Sequence, residues 1–370
     1  MIVRRAAVQV KASVGRREGD IVEPVLVNNT SYAVEEAVLA GLDGHEVYVA
    51  VVKASFRWRP DASVEPLPEP LPIVAADVYA GEPGKSGLLT AAELTLPKPR
   101  VDVLLAGEIV PRAPVEQIDC TLELGRQLRK TLRVFGDRYW RPSTTRSVLP
   151  SRPKPFARMP ITWERSFGGT DDDDPAVLER RNPVGRGICK NPRTLEGKPA
   201  PNFEDPAAPI TDPLALPAPV GFGPIAPYWR PRSDRAGTYD ARWESERAPL
   251  LPRDFDPRFL NAAPEDQQLE RYQPDTELWL TDFTPGRRER IRLPAFAPAL
   301  TVVEGRTIFE VASVVDTIVV EPAETRLSLV ARAVYRPKSV AALETAYVGP
   351  LSRGQRRALH AGKPYLRLGG

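Results

Sequence analysis

Histidine is almost missing from this sequence: His45 and His360 are the two among 370 residues. A Ser-His-Asp or Cys-His device needs an imidazole beside its nucleophile, so few such sites can be built. His45 falls in Leu42-Asp-Gly-His45, which reads as a hairpin turn, and His360 lies in a basic tail. Cysteine is as scarce. Cys120 and Cys189 alone make neither a disulfide scaffold nor a zinc site, and Cys120 falls on an inward strand face, where a buried thiol is expected. No run of about 18 apolar residues occurs, and the first eleven residues lack a signal-peptide core, so a cytoplasmic protein without membrane insertion is expected. Nucleophile elbow, phosphate loop, dinucleotide fingerprint and paired metal-binding histidines are all absent, so no cofactor is expected. Gly221-Phe-Gly-Pro224 cannot open a phosphate-binding helix, because Pro224 and Pro227 follow it.

Lysine is also short. Ten of the 51 basic residues are Lys, none lies between Lys198 and Lys338, and the net charge is +3. Arginine offers a planar fork that pairs bidentately with carboxylates and stacks on rings, so one reading is a network of Arg staples; codon bias in a GC-rich genome is the other. Arg alternates with acid, as in Arg232-Ser-Asp-Arg235 and Arg242-Trp-Glu-Ser-Glu-Arg247. This dilutes any phosphate-attracting stripe, and nucleic acid is not expected as a partner.

What is abundant is proline, 41 residues against an average near ~5%. That disfavours helices and favours strands, turns and coil. Strand patterns flank the middle of the chain. Residues 47–52 are apolar on both faces and continue to Trp58 with polar odd positions, as in a strand buried on both sides at one end and half exposed at the other. From 118 to 135 the apolar set Ile118, Cys120, Leu122, Leu124, Leu128, Leu132, Val134 keeps period two around Gly125. Residues 314–320 and 326–335 read as a hairpin with Leu327, Leu329, Ala331, Ala333 and Tyr335 inside. Shorter candidates lie at 101–110, 277–280, 290–293 and 307–311. The expected fold is mainly β: an antiparallel β-sandwich or two packed sheets, forming one large domain over 1–335. Residues 336–370 form a basic tail with helices expected at 339–347 and 352–361; its cations Arg353, Arg356, Arg357, Lys363 and Arg367 make it either a docking element or a solvated terminus.

Between about 140 and 275 lies a long Pro-, Gly- and Arg-rich coil, with Trp140, Trp163, Trp229 and Trp243 at or inside it. A disordered linker has nothing for such rings to bury against, so the coil is expected to be ordered. Asn182-Pro-Val-Gly185 has the signature of a type I turn, which makes Asn182, Pro183 and Gly185 structural candidates. Asp171-Asp-Asp-Asp174 reads as a solvated acidic turn, lacking the ligand spacing of a calcium loop. Asp254/Asp256 and Glu204/Asp205 have the chemistry of a hydrolytic carboxylate pair, but beside Arg253 and Arg258 they read as turn partners. Trp163, Phe167, Trp229, Arg230, Tyr239 and Trp243 are the candidate partner-binding residues, since Trp, Tyr and Arg anchor most protein interfaces.

Several phrases are longer than chance turns: Val51-Val-Lys-Ala-Ser-Phe56, Pro155-Phe-Ala-Arg-Met-Pro160, Trp163-Glu-Arg-Ser-Phe-Gly-Gly169, Arg181-Asn-Pro-Val-Gly185, Gly237-Thr-Tyr-Asp240 and Leu251-Pro-Arg-Asp-Phe-Asp256. With Asn29-Thr-Ser-Tyr32 and Asp316-Thr-Ile-Val-Val320, they resemble a bacterial domain-of-unknown-function family over roughly 22–335. Genes of that family sit beside those for type VI secretion spike and PAAR tip proteins. The resemblance implies a non-enzymatic adaptor or chaperone that helps load an effector or PAAR tip protein onto the spike; it carries over no catalytic residues. The alternative expectation is a carboxylate-dependent hydrolase or carbohydrate-binding protein acting on the cell envelope.

Overall fold

The computed structural model describes residues 24–144, 148–286, 288–305 and 307–362. Its long strands are β1 (Val25–Asn28), β2 (Ala33–Ala40), β3 (Glu46–Trp58), β4 (Val101–Leu105), β5 (Gln117–Leu124), β6 (Leu128–Phe135), β7 (Glu277–Thr281), β8 (Arg288–Arg292), β9 (Leu300–Glu304), β10 (Thr307–Val311), β11 (Val314–Glu321), β12 (Arg326–Tyr335) and β13 (Leu343–Val348). A seven-stranded sheet runs β4-β11-β12-β3-β2, with two-residue Gln268–Leu269 outside β4 and Val64–Pro66 beside the end of β3. A five-stranded sheet runs from Phe203–Glu204 through β6-β5-β7-β8, and a four-stranded sheet is ordered β1-β13-β9-β10. The fold is mainly β. Most pairs are antiparallel, but β4 joins β11 and β1 joins β13 in parallel, a mixture that the expected antiparallel sandwich does not contain.

One core fills the space between the sheets. Tyr48, Ala50, Val52, Ala54, Phe56 and Trp58 of β3 and Leu327, Leu329, Ala331, Ala333 and Tyr335 of β12 face Cys120, Leu122, Leu124, Leu132, Val134, Leu278, Leu280 and Val302. Period two puts these side chains on one face of each strand, and the hairpin of β11 and β12 closes through a 3-10 turn at Pro322–Glu324 with Thr325 left-handed.

The other face of β3 and β12 corrects the half-exposed strand. Lys53 and Ser55 are buried: Lys53 lies under the segment from Pro72 to Lys98, donating to the Pro72 carbonyl and Glu93, and Ser55 meets Ser328 of β12. Ile73, Leu94 and Leu96 cover Val47, Val49, Val51 and Val330. Beside this apolar patch lie six buried charges that balance. Lys53 pairs with Glu93 at 2.8 Å, Lys98 with Asp102 at 2.7 Å, and Arg332 with Asp316 while also donating to the Glu93 carbonyl. Buried cations survive only with such partners, so the lysine that breaks the strand pattern is the one that ties the strap down.

The coil is ordered through a repeated device. Asn191, Asp212 and Asp256 each accept the N–H two residues on and are each followed by proline at the first position of a 3-10 turn. The proline has no N–H to waste there, and the side chain satisfies the next one. Around these turns Trp140, Val148, Phe167, Ile188, Cys189, Leu195, Ala200 and Ile210 form a small core of their own. Arg138 reaches buried Glu204 and the Pro201 carbonyl, and buried Arg232 donates to the carbonyls of Ile225 and Phe259 at 2.6 and 2.9 Å. These are the staples that the arginine excess suggested.

Residues 336–362 do not stand apart from the sheets. The helix expected at 339–347 is a 3-10 turn at Val340–Ala342 followed by β13, which lies between β1 and β9. Thr345, Tyr347 and Val348 favour a pleated surface, and two waiting sheet edges outweigh the weak helical spacing. The second expected helix is present as α2 (Arg353–His360), behind α1 (Ala241–Glu246) in the coil. Lys363 and Arg367 lie outside the described residues.

Candidate interaction surface

The phrases that looked like a site fold into one another. The Asn182 side-chain amide nitrogen donates to the carbonyls of Trp163 and Phe167, both at 2.9 Å, while the Asn182 backbone carbonyl accepts from the N–H groups of Gly169 and Gly185. The latter bond closes the turn across Pro183 and Val184. A Cβ on Gly185 would come within 2.8 Å of the Gly168 Cα, so the fourth turn position has no room for a side chain. Asn182, Pro183 and Gly185 are thus brought together with Trp163 and Phe167 in a single knot.

That knot removes three candidates from the surface. Trp163 is buried and Trp229 has no exposed surface, the two rings meeting edge to face at 6.2 Å beside Leu88, Ile225 and Ala226. Phe167 is buried in the small core. Large rings in an irregular segment are what its short strands cannot supply, namely apolar area, so these three fill the coil's interior and present nothing to a partner. Arg230 is exposed and paired with Asp234 at 3.1 Å.

Tyr239 and Trp243 lie elsewhere, on a loop closed at its base by Asp254. The Asp254 carboxylate accepts from the Thr238 N–H at 3.0 Å and its hydroxyl at 2.7 Å, joining positions 16 residues apart. Within the loop Asp240 caps α1 through the Trp243 N–H, and the Trp243 indole donates to the Leu250 carbonyl at 2.8 Å. Tyr239 stands 45% exposed, edge to face with Trp243 at 4.7 Å. Leu250 lies against Gly44 in the β2–β3 turn, next to exposed Leu42. The result is a compact Ω-type loop that displays Tyr239 beside half-buried Trp243 and Leu250 on a pinned backbone, with exposed Leu42 on the adjoining turn.

The carboxylates of this region are spoken for. Hydrogen bonds from Thr238 hold Asp254 below the usual carboxylate range, and the fork of Arg258 does the same for Asp256. A general acid needs the opposite shift. Glu204 is buried against Arg138, and Asp205 accepts the Ala207 N–H. Asp171, expected in a solvated turn, is instead buried and accepts the N–H groups of Asp173 and Lys190. Among the described residues no three His, Cys, Asp or Glu side chains converge as metal ligands would. Burial raises the pKa of the Cys120 thiol and pushes Cys189 to about 11, the reverse of an activated nucleophile. The cleft lined by Leu89, Glu93, Lys98 and Thr317 encloses about 30 Å³, one water's share of liquid volume.

With this geometry in view, the comparison with known proteins is specific at one level. Residues 43–332 match the family described as uncharacterized protein conserved in bacteria, DUF2169. The chain belongs to this family. No curated protein and no solved structure matches it. The matched span of the DUF2169 chain holds both strap and coil, including the Ω-type loop; Asn29-Thr-Ser-Tyr32, β13 and α2 fall outside it.

One surface residue escaped the sequence reading. Trp279 of β7 sits on the outer face of the five-stranded sheet, with the guanidinium groups of Arg288 and Arg290 at 4.3 and 5.7 Å from its ring. Around it Arg129–Glu123, Arg133–Asp119 and Arg290–Glu277 pair across strands. The signal was present: in Glu277–Thr281 the leucines at 278 and 280 take the inner face, which leaves Trp279 outward with Glu277 and Thr281.

Proposed function

We propose that this DUF2169 protein is a non-enzymatic adaptor of type VI secretion in the bacterial cytoplasm. It binds an effector, a PAAR-type tip protein or the spike and helps load cargo before firing. The observation that carries the reading is the Ω-type loop. Its rings are held by capping and indole hydrogen bonds before any partner arrives, so little ordering entropy remains to be lost on binding. Tyr and Trp supply large contact area with few rotatable bonds, and the neighbouring Leu42 extends the patch with apolar area. The resemblance to a family encoded beside spike and PAAR genes supplies the class of partner.

The test is capture from the native bacterium with the tagged full chain. Recovery of a spike, PAAR or neighbouring effector protein by wild type, and its loss with Tyr239→Ala and with Trp243→Ala, is the expected outcome. Equal recovery by both variants would move the contact off this loop. Absence of any secretion component, together with hydrolytic activity on envelope polymers that Asp254→Asn or Asp256→Asn abolishes, would replace the adaptor reading with the hydrolase.

A further inference from the structure

Helix α2 gathers unpaired arginines on one short face. In α1, by contrast, Arg242 pairs with Glu246 one turn on at 3.2 Å. In α2, Arg353, Arg356, Arg357 and His360 project into solvent, and among the described residues none of the three arginines meets a carboxylate. Their spacing sets Arg353 against Arg356 and Arg357 at the helical distances where like charges repel. Arg353 also occupies the first helical position, at the positive end of the macrodipole, where an acid would be favoured. No acidic residue follows Glu344 in the sequence.

The helix nevertheless forms, because the fold holds it from behind. Ser352 and Gln355 make a reciprocal capping box, with the Ser352 hydroxyl accepting the Gln355 N–H at 3.1 Å and the Gln355 carbonyl accepting the Ser352 N–H at 2.7 Å. The same Gln355 amide is buried against Asn29, exchanging hydrogen bonds of 3.0 and 3.1 Å with it. Asn29 follows β1 directly, so the amide pair fixes α2 to the end of the β1–β13 pair. A helix whose surface charges oppose it is thus clamped in place with those charges outward.

We infer that the outer face of α2, carried by Arg353, Arg356, Arg357 and His360, docks an acidic segment of a partner protein. A carboxylate opposite each cation would remove the repulsion that the free helix carries, so the charge pattern itself specifies the complement. An eight-residue helix is about 12 Å long, too short for the roughly six to ten phosphate contacts that strong duplex binding uses, and α2 carries no Phe, Tyr or Trp for a base to stack on. The inference does not rest on the Ω-type loop. α2 lies outside the matched residues 43–332, so the family match does not bear on it.

The test uses the full chain and three fluorescent probes: an Asp/Glu-rich peptide, a single-stranded oligonucleotide of equal charge, and anionic phosphatidylserine vesicles. The peptide is expected to bind best, and reversal at Arg353→Glu, Arg356→Glu and Arg357→Glu to weaken it about tenfold, with a shallower salt dependence. A control reversal of three exposed arginines elsewhere, Arg141→Glu, Arg193→Glu and Arg253→Glu, should leave binding within about twofold. Should the α2 reversal fail to fold, Arg356→Gln with Arg357→Gln must weaken the peptide in the same direction. Preference for the oligonucleotide or the vesicles, or equal effects of the α2 and control reversals, would overturn the inference.

Discussion

The sheet core and the central coil bury side chains by opposite means. In the core, β3 and β12 are long and apolar on one face at every second residue, and on the other face Lys53 and Arg332 join a group of six charges that cancel under the strap. In the coil no stretch is long enough to show a period, and the chain is held residue by residue: a capped 3-10 turn, an asparagine on two carbonyls, an arginine on a carboxylate. The difference teaches where each region is fragile. The core's weak points are its buried charges, each of which needs its partner; the coil's weak points are single polar side chains that satisfy several backbone groups at once.

The largest effect should therefore come from breaking a core pair. Arg332→Ala leaves Asp316 buried without its main counter-charge and should cost about 3–5 kcal/mol, read as a lower urea midpoint. A joint replacement, Arg332→Met with Asp316→Leu, should recover part of that loss, since removing both charges also removes the desolvation penalty. Next comes the coil. Asn182→Ala deletes two buried hydrogen bonds and leaves the Trp163 and Phe167 carbonyls without them, a loss of about 2–3 kcal/mol. It should open the coil to limited proteolysis near 163–187 while the sheet core keeps its midpoint. A single cooperative loss of both would show that coil and core are one unit.

The two regions were also unequally legible. Period two was enough to place the β11–β12 hairpin with its inner face Leu327 to Tyr335, and the inward Cys120. It misjudged Lys53 and Ser55, because alternation reports which face a residue takes and not whether a distant segment covers that face. The coil's turn chemistry could be read from Asn182-Pro-Val-Gly185, whose residue types have a local cause. Its rings could not be sorted: Trp163 and Trp229 went inside while Tyr239 stayed exposed and Trp243 half-buried, and this depends on packing between phrases far apart in sequence. Trp279 was sortable, having a strand period beneath it. The 339–347 segment shows the same limit, since the separate edges of β1 and β9, which it joins, decided what local spacing left balanced.

Smaller still is the effect at the Ω-type loop, where the closure is a surface carboxylate. Asp254→Ala removes the bonds to Thr238 and should loosen the loop, with faster amide exchange over 238–254 and no change in the urea midpoint of the core. Tyr239→Ala should leave that exchange unchanged, separating display from closure.

The smallest and most local change is acid opening of the same loop. Asp254 and Asp256 both titrate below their ordinary value of 3.8 in the folded chain, Asp254 through Thr238 and Asp256 chiefly through Arg258. For a carboxylate with a depressed folded pKa, the unfolded state binds protons first, so its contribution is complete above the ordinary pKa and is lost as pH falls through the folded value. The loop should hence be closed at pH 5 and open progressively below about pH 4, ahead of any loss of the sheets. Amide exchange of the Thr238 N–H against that of β12 reads this directly, because one reports the cap and the other the core. Asp254→Asn keeps an acceptor oxygen but has no proton to gain, so its Thr238 N–H should exchange faster at pH 5 and show little further change toward pH 3. If wild type and variant follow the same acid profile, the loop is closed by its ring and indole contacts, and the division between a carboxylate-pinned coil and a period-two core does not extend to this part of the surface.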